Sequence, residues 1–490
     1  MRNNINTEDY IKPDSQEMRV GKRSKSQLKI LQEDNRGVDI DSRGKLYIRN
    51  RVFAEYVLKR IDLVRIDNNK RLLKNQRTHV YEMVSDVILK SCCMDIMDEL
   101  DDSYYELVPE GKLIGFIDKQ VKSLRRLDID PRYFLFPNGI YEVRTHTFDA
   151  SFTTDFVTTY QMGFNYDPTA KCPHWERSLK KMFPYDTNNL IAVLQEMFGY
   201  TFLYGDAPAD TLFYLFGKGR NGKSVVTSVL SMLHGTENIA GVSLTSLNDR
   251  FALSGIYDKK VCLCPENQHE KIKDTSTLKA LTGRDAVKVE IKYETPFTVR
   301  ISTKIIVNSN FYLRTDDNTS GFWGRILPIP FKVTFLPQKE LQKRPKNPLF
   351  QKRNTNLERI IKKELSGIFN WSMEGLKRLK QNKWVFTESK QINELKEEMM
   401  SYCCPISAFV HDKVVQGKLS DGGIKGDRVR SSELQKKFME WANDKALDIE
   451  DFIDSRKFRK ALIDSLSENG INYDIVKNSV DFFDGIIVKE

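Results

Sequence analysis

The sequence is poor in the residues that build metal centres and disulfide frameworks. Its seven cysteines (Cys92, Cys93, Cys172, Cys262, Cys264, Cys403 and Cys404) are odd in number, and none stands at C-x-x-C spacing. That argues against a zinc ribbon or a disulfide scaffold. The six histidines are scattered, so no metal site of His and Cys is expected. No apolar run approaches the roughly 18 residues that a membrane span requires. The opening MRNNINTEDYIKPDSQ lacks the apolar stretch of a secretory signal. These absences predict a soluble, cytoplasmic protein with no membrane partner.

What is present is length and positive charge. A chain of 490 residues exceeds what one core organises, so two to four domains are expected. Its 77 basic residues outnumber the 67 acidic ones, giving a formal charge of +10. Such a surplus favours polyanions through counterion release, although proteins that bind no nucleic acid carry it too.

The chain divides by pattern. Residues 1–45 are polar, with Lys22, Arg23, Lys25 and Lys29 close together, and read as a flexible basic leader in preference to a DNA-binding arm. Residues 46–205 read as a mostly helical domain with a small β insert, because VFAEYVLKRIDLV and VYEMVSDVILKSCCMDIMDEL space their apolar residues helically. Within it FLFPNGIYEVRTHTFDA alternates as two strands turned at Asn138 and Gly139. From residue 206 to 335 short apolar strands (TLFYLF, KKVCLCPE, KIIVNS) are separated by helical or polar segments, the βα alternation of an α/β core. Residues 336–400 read as a Lys-, Pro- and Asn-rich hinge followed by amphipathic helices. Residues 401–490, with short helices and a final strand pair, fit a winged helix.

The sharpest chemical signal is Gly217-Lys218-Gly219-Arg220-Asn221-Gly222-Lys223-Ser224, which satisfies G-x-x-x-x-G-K-[ST] between an apolar strand and the helical run VVTSVLSMLHG. Glycines let backbone N–H groups crowd around phosphates while the following helix directs its positive end at them. Lys223 would neutralise the β- and γ-phosphates of ATP, and Ser224 would ligate Mg²⁺. A metal and an attacking water need a further carboxylate, and Glu266, closing the apolar run after Lys260, is the candidate. Asp258 and Glu270 are the other carboxylates nearby. Asn308 ends a third apolar strand, where it would orient the lytic water or sense the γ-phosphate, or simply start a turn.

The order of these motifs resembles the helicase core of superfamily 3, the phage, plasmid and poxvirus-type primase-helicases. In LKALTGRDAVKVEIKYETPFTV, residues Leu281, Thr282, Gly283 and Asp285 match that family's third motif, although Arg284 stands where Gly is usual. KIIVNSN is similar to its sensor strand, and GFWGRILPIPF to its arginine-finger segment. The resemblance extends to FLFPNGIYEV, FNYDPTAKCPHW, LIAVLQEMFGY and ELSGIFNWSMEGLKRL on either side, roughly from Tyr133 to Leu379. It implies an α/β fold with an AAA+ P-loop core, a helical N-terminal region and a C-terminal winged helix. Asn308 would then be a sensor, and Arg325 the finger that completes a neighbour's ATP site in a homo-oligomeric ring, expected to be a hexamer. The β-hairpin of the third motif would reach single-stranded DNA in the pore with Lys288, Lys292 and Tyr293, whereas without the resemblance these read as a solvated face. The layout resembles replication initiators of staphylococcal pathogenicity islands, in which the C-terminal domain would grip origin duplex. No clustered carboxylates upstream support primer synthesis. The expected function is an ATP- and Mg²⁺-dependent DNA helicase, and the alternative is an origin-binding ATPase that loads or remodels replication proteins without unwinding.

Overall fold

The computed structural model describes residues 7–13, 36–40, 46–66, 70–99, 110–121, 123–124, 132–184, 189–203, 208–265, 271–315, 317, 319–344, 346–403, 405–421, 424–445, 447, 449, 452–477 and 481–489. Most of the expected basic leader, with Lys22, Arg23, Lys25 and Lys29, lies outside them, as does Glu266. The chain forms two compact units, residues 1–166 and 167–490.

In the first unit, helices Asn50–Arg60, Asp86–Asp98 and Glu110–Gln120 bury Phe53, Val57, Leu89, Cys92, Cys93, Ile96, Leu113 and Ile117 in one core. Helical spacing places those residues on inward faces, as the sequence predicts. Between the first two helices, however, the chain is not helical. Strands Leu63–Ile66, Lys70–Lys74 and Tyr81–Val84 pair antiparallel, with Ser123–Leu124 joining the first of them in parallel. The helical expectation fails here because apolar runs of four or five residues carry too little period to separate strand from helix. Cross-strand neighbours such as Leu63 with Leu73 and Val64 with Leu72 then decide the matter. Arg71, nearly buried on the middle strand, is gripped by Asp118 at 2.7 Å and by Asp86. The β insert is a meander of three strands, Tyr133–Phe136, Gly139–Glu142 and Thr147–Asp149, one more than the sequence predicts.

The second unit begins with helices that the sequence reading placed in the N-terminal domain. Pro173–Met182 and Asn189–Thr201 pack within this unit instead, the latter against the long helix Leu365–Gln381. Trp175 is fully buried and meets Trp371 edge-on at 5.8 Å. Glu196, fully buried, accepts hydrogen bonds from Arg378 Nε at 2.7 Å and from Thr387 N and Oγ1 at 2.8 and 2.6 Å. A carboxylate without water must be met by donors in this way.

The centre of the unit is an all-parallel sheet. We number its strands, with an intervening hairpin, in chain order: β1 Leu212–Phe216, β2 Ile239–Ala240, β3 Val261–Cys264, β4 Ala286–Val289, β5 Phe297–Arg300, β6 Lys304–Ser309 and β7 Ile326–Pro330. The sheet order is β2-β3-β6-β1-β7, while β4 and β5 form a separate antiparallel hairpin. Strands β1, β3 and β6 are apolar and almost wholly buried, as parallel strands covered on both faces must be. The segment read as a hinge contains the strand Phe350–Lys352, which pairs in parallel with Thr334–Leu336, and the amphipathic region expected from Leu357 opens with the short helix Leu357–Ile361. The C-terminal region packs helices Pro405–Lys413, Ser431–Asp444 and Ser455–Glu468 on Phe409, Phe438, Trp441, Phe458 and Leu462, beside an antiparallel sheet of Arg428–Arg430, Asp474–Lys477 and Asp481–Asp484. Among the described residues no helix is long and apolar enough to cross a membrane.

Helix Lys223–His234 ends in His234, which is 1% exposed and hydrogen-bonded through Nε2 to Thr201 Oγ1 at 2.8 Å. Burial, with help from Lys260 and Lys304, lowers its pKa to about 3. The unfolded chain therefore binds a proton near pH 6.5 that the native imidazole refuses. Native stability is complete above that pH and declines as pH falls toward 3. Between pH 7 and 5 the loss from this group is expected to be about 2 kcal/mol. Urea denaturation at the two pH values checks it: His234→Gln should flatten the dependence by that amount, and an unaltered slope would show that His234 does not titrate as its burial requires.

Candidate functional site

β1 ends at Phe216, and the chain turns through Gly217–Gly222 into the helix Lys223–His234. This is the strand, loop and helix that the G-x-x-x-x-G-K-[ST] pattern predicts. Gly217 is packed so closely that a Cβ would lie 2.1 Å from Asn221 Nδ2 and 2.4 Å from the Phe331 carbonyl oxygen. Gly222 has φ +96° and would press a Cβ onto Met182, so a side chain is disfavoured by both backbone and space. Asn221, 3% exposed, donates to Phe331 O at 3.2 Å and pins the loop to the strand on its other side. Lys218 is exposed, and Arg220 pairs with Glu340 at 3.1 Å on the surface.

Lys223 is 4% exposed. Its Nζ donates to the Gly217 carbonyl, to Asn221 Oδ1 at 3.3 Å and to Asn310 Oδ1 at 2.9 Å. Sequence reasoning named Asn308, and that residue does line the cleft over the loop. The side chain that reaches the lysine is nevertheless Asn310, two residues beyond it. The second Asn of KIIVNSN was the available signal: residues two apart in an extended segment face the same way.

Gly219–Val225, Asn308 and Asn310 line a cleft of about 510 Å³, within the range of small-ligand sites. Its cationic wall includes Arg177, Lys181, Lys352 and Arg353, none of which the sequence reading singled out. They come from helix Pro173–Met182, from the end of strand Phe350–Lys352 and from the residue after it, so their sequence distance from the loop hid them. Ser224 is exposed to the cleft at the start of its helix. A buried ammonium, a glycine-rich turn, a helix N-terminus and a hydroxyl form a donor set suited to a polyphosphate and a hard cation. Glu266 lies just beyond β3, outside the described residues. Among those residues no group of three or more His, Cys, Asp or Glu side chains gathers as a metal cluster would.

Arg325 sits elsewhere. Its carbonyl accepts the Leu212 N–H at 2.7 Å, at the start of β1, whereas the loop leaves from the end of β1. Five residues of strand separate the two by roughly 16 Å. The third motif lies beside this arginine: helix Ser276–Thr282 leads into Gly283, where a Cβ would stand 3.4 Å from Arg325 Nη2. Arg325 and Arg284 each approach Asp210 at 3.8 Å, and Arg325 also donates to Gly321 O. The alternative partner Asp317 is taken by Lys279, Thr275 and Thr319. Burial would raise its pKa, but those donors hold it down at about 2. Asp316, the other alternative, lies outside the described residues.

Hairpin β4–β5 carries the candidate DNA contacts. Tyr293 is fully exposed at its turn with φ +66°, and Lys292 Nζ stands 5.8 Å from the centre of the Phe251 ring. Lys288 is bound to Glu290 at 2.7 Å, and Glu290 also holds Arg250 at 2.7 Å. The three residues thus share one hairpin, but Lys288 already has an anion. In the C-terminal region Arg459 is likewise paired, with Asp481 at 2.6 Å.

Two families match the chain, and the first match runs past residue 166, where the first compact unit ends. Residues 54–184 match the D5 N-terminal-like family, and residues 215–325 match a family of unknown function (DUF5906). The chain is 24% identical over 287 residues to the protein titled "Putative helicase 184R" of Invertebrate iridescent virus 6, a match covering 50% of the chain and 27% of that relative. It therefore spans about a quarter of the curated relative's length. Two solved structures of the NrS-1 C-terminal region are similar at 12% identity: the A form apo structure has a TM-score of 0.47, covering 88% of this chain and 96% of that one, and the 305–718 A form has 0.45, covering 90% and 100%. What the chain shares with known sequences is a D5 N-terminal-like region and, around its glycine-rich loop, a domain to which no function is assigned.

Proposed function

We propose that this chain is an ATP-hydrolysing DNA helicase of the superfamily-3 type, built on an AAA+ core, acting as a homo-oligomeric ring and starting replication of a mobile genetic element. The observation that carries this reading is Lys223, buried at the head of a helix and held toward the cleft by Asn310 on the neighbouring strand. A lysine so placed costs desolvation that a bound triphosphate would offset. The sheet order supports the class of motor, because the sensor strand β6 lies between the loop strand β1 and β3, the strand leading to Glu266. The "helicase" in the viral relative's title and the D5-type match point the same way.

In this mechanism the turn Gly219–Gly222 and the helix N-terminus cradle the phosphates, and Lys223 moves onto the β- and γ-phosphates while Asn310 keeps its direction. Ser224 and Glu266 would hold Mg²⁺, which when bound neutralises charge on the phosphates. Glu266 would accept the proton of the attacking water, with Asn308 orienting it. Arg325, at the far end of β1, cannot serve the loop of its own chain, which supports a role at the γ-phosphate of a neighbour. Tyr293 and Lys292 at the hairpin turn suit stacking and phosphate contact with a single strand. The three helices and small sheet of residues 405–489 suit a winged helix that grips origin duplex.

Replacing Lys223 by Ala should abolish ATP turnover while leaving the fold intact, and strand displacement on a forked duplex should vanish with it. Near-normal unwinding would sink the reading, whereas wild-type turnover without any strand displacement would identify a loader instead. For the pore contacts, Lys292→Ala should flatten the salt dependence of single-strand binding by about one unit of log–log slope, and Lys288→Ala should do less because Glu290 already neutralises it. Equal effects would show that the Lys288–Glu290 pair opens on DNA.

The finger is tested by mixing. Lys223→Ala and Arg325→Ala chains should each be inactive, yet mixed rings place an intact loop against an intact finger at some interfaces and should recover turnover. An arginine finger is worth about 10³ to 10⁵ in rate. If mixed rings form and stay inactive, titration of wild-type rings with each variant separates a misassigned finger from a strictly concerted ring.

A further inference from the structure

The phosphate loop explains only part of the cleft that covers it. Apolar side chains from three helices also line it: Met182 of Pro173–Met182, Val225 of Lys223–His234, and Leu357 and Ile360 of Leu357–Ile361. Asn354 and Glu358, both exposed, stand on the same rim. The short helix packs against both of the others and is anchored by Ile361, which is fully buried. Its position is set just beyond its end by Glu364. That carboxylate accepts His174 Nδ1 at 2.6 Å and the His174 and Trp175 backbone N–H groups at 3.1 and 3.0 Å, tying the two walls together.

Resting on the reading of the loop as a triphosphate site, we propose that Leu357–Ile361 is the nucleoside wall of the cleft. The base and ribose lie among Met182, Val225, Leu357 and Ile360, and Asn354 and Glu358 meet the polar edge of the base. The phosphates have the turn and Lys223, which are polar and close to β1. The flat, largely apolar base needs apolar walls with a few polar groups at the edge, and this helix supplies them. A cleft of about 510 Å³ has room for a whole nucleotide, where a triphosphate alone would leave these walls uncovered. Val225 immediately follows Ser224, so the walls continue from the phosphate end without a break. The end of the stretch that reads in sequence as a hinge, with Asn354, and the start of the amphipathic helices that follow it, with Leu357 and Ile360, therefore become part of the binding site.

The test compares two probes on the full chain by calorimetric titration with Mg²⁺: ATP and inorganic tripolyphosphate. The wild type should bind ATP at least tenfold more tightly. Leu357→Ala combined with Ile360→Ala should weaken ATP by about tenfold and leave tripolyphosphate unchanged. Asn354→Ala with Glu358→Ala, which removes no buried contact, should also lower ATP affinity alone, so the inference does not hang on one variant folding. Equal binding of the two probes to the wild type would overturn the nucleoside wall while leaving the phosphate loop standing. Parallel loss of both probes in folded variants, or loss of neither, would overturn it as well. If the wild type binds neither probe, the loop reading itself fails and this inference falls with it.

Discussion

Everything at the site depends on the register of β1 between β6 and β7. Phe216 pairs with Ser309 on one side and Pro330 on the other, so the loop emerges from a fixed notch between two strand ends. Gly217 N donates to Ser309 O at 3.2 Å and Phe331 N to Phe216 O at 2.7 Å, closing the notch from both sides. Asn310 and Phe331, the partners of Lys223 and Asn221, are simply the next residues along those strands. A one-residue slip would turn them away, because side chains alternate faces along a strand. β7 can carry Pro328 and Pro330 only because it is the edge of the sheet, where missing N–H donors leave no ladder bond unmade.

The parts of this arrangement legible in the sequence were those written in consecutive residues. Gly217–Ser224 declares its own geometry because glycine spacing, lysine and the flanking strand and helix stand side by side. The hairpin β4–β5 and the long helix Leu365–Gln381 are equally local. What stayed hidden depends on distant residues. Whether Leu63–Val84 is strand or helix turns on cross-strand partners, and short apolar runs do not name them. That helices Pro173–Met182 and Asn189–Thr201 belong with the second unit depends on Glu196 finding Arg378 and on Trp175 finding Trp371, pairs separated by nearly two hundred positions. Asn308 ends the apolar run and lines the cleft, whereas the contact of Asn310 with Lys223 depends on which residue clears the strand end. The cleft wall at 352–354 looked like a hinge because of its Lys, Arg and Asn content, and the amphipathic run expected from Leu357 did not say that Leu357 and Ile360 face a cleft.

On the reading that Arg325 serves a neighbouring chain, the surroundings of that residue gain a physical sense. At the opposite end of the sheet from the loop, β3 and β6 start from half-buried Lys260 and buried Lys304, whose pKa values desolvation lowers to about 8 and about 7. Arg284 and Arg325 stand close by, and both face the carboxylate of Asp210 at 3.8 Å, too far for a hydrogen bond. Each guanidinium Nε is buried without a hydrogen-bond partner. Long, partly exposed ion pairs of this kind are worth about 1 kcal/mol or less, so Asp210 orients the two arginines without neutralising them. The two guanidiniums are thus only loosely paired with Asp210 at this end of the sheet, while the glycine-rich loop lies a full strand away. Within one chain Arg284 and Arg325 stand apart from the cleft over the glycine-rich loop. In the proposed ring the arrangement would become catalytic where the arginine end of one copy meets the cleft of the next, Asp210 being weak enough a partner to let that exchange of anions occur.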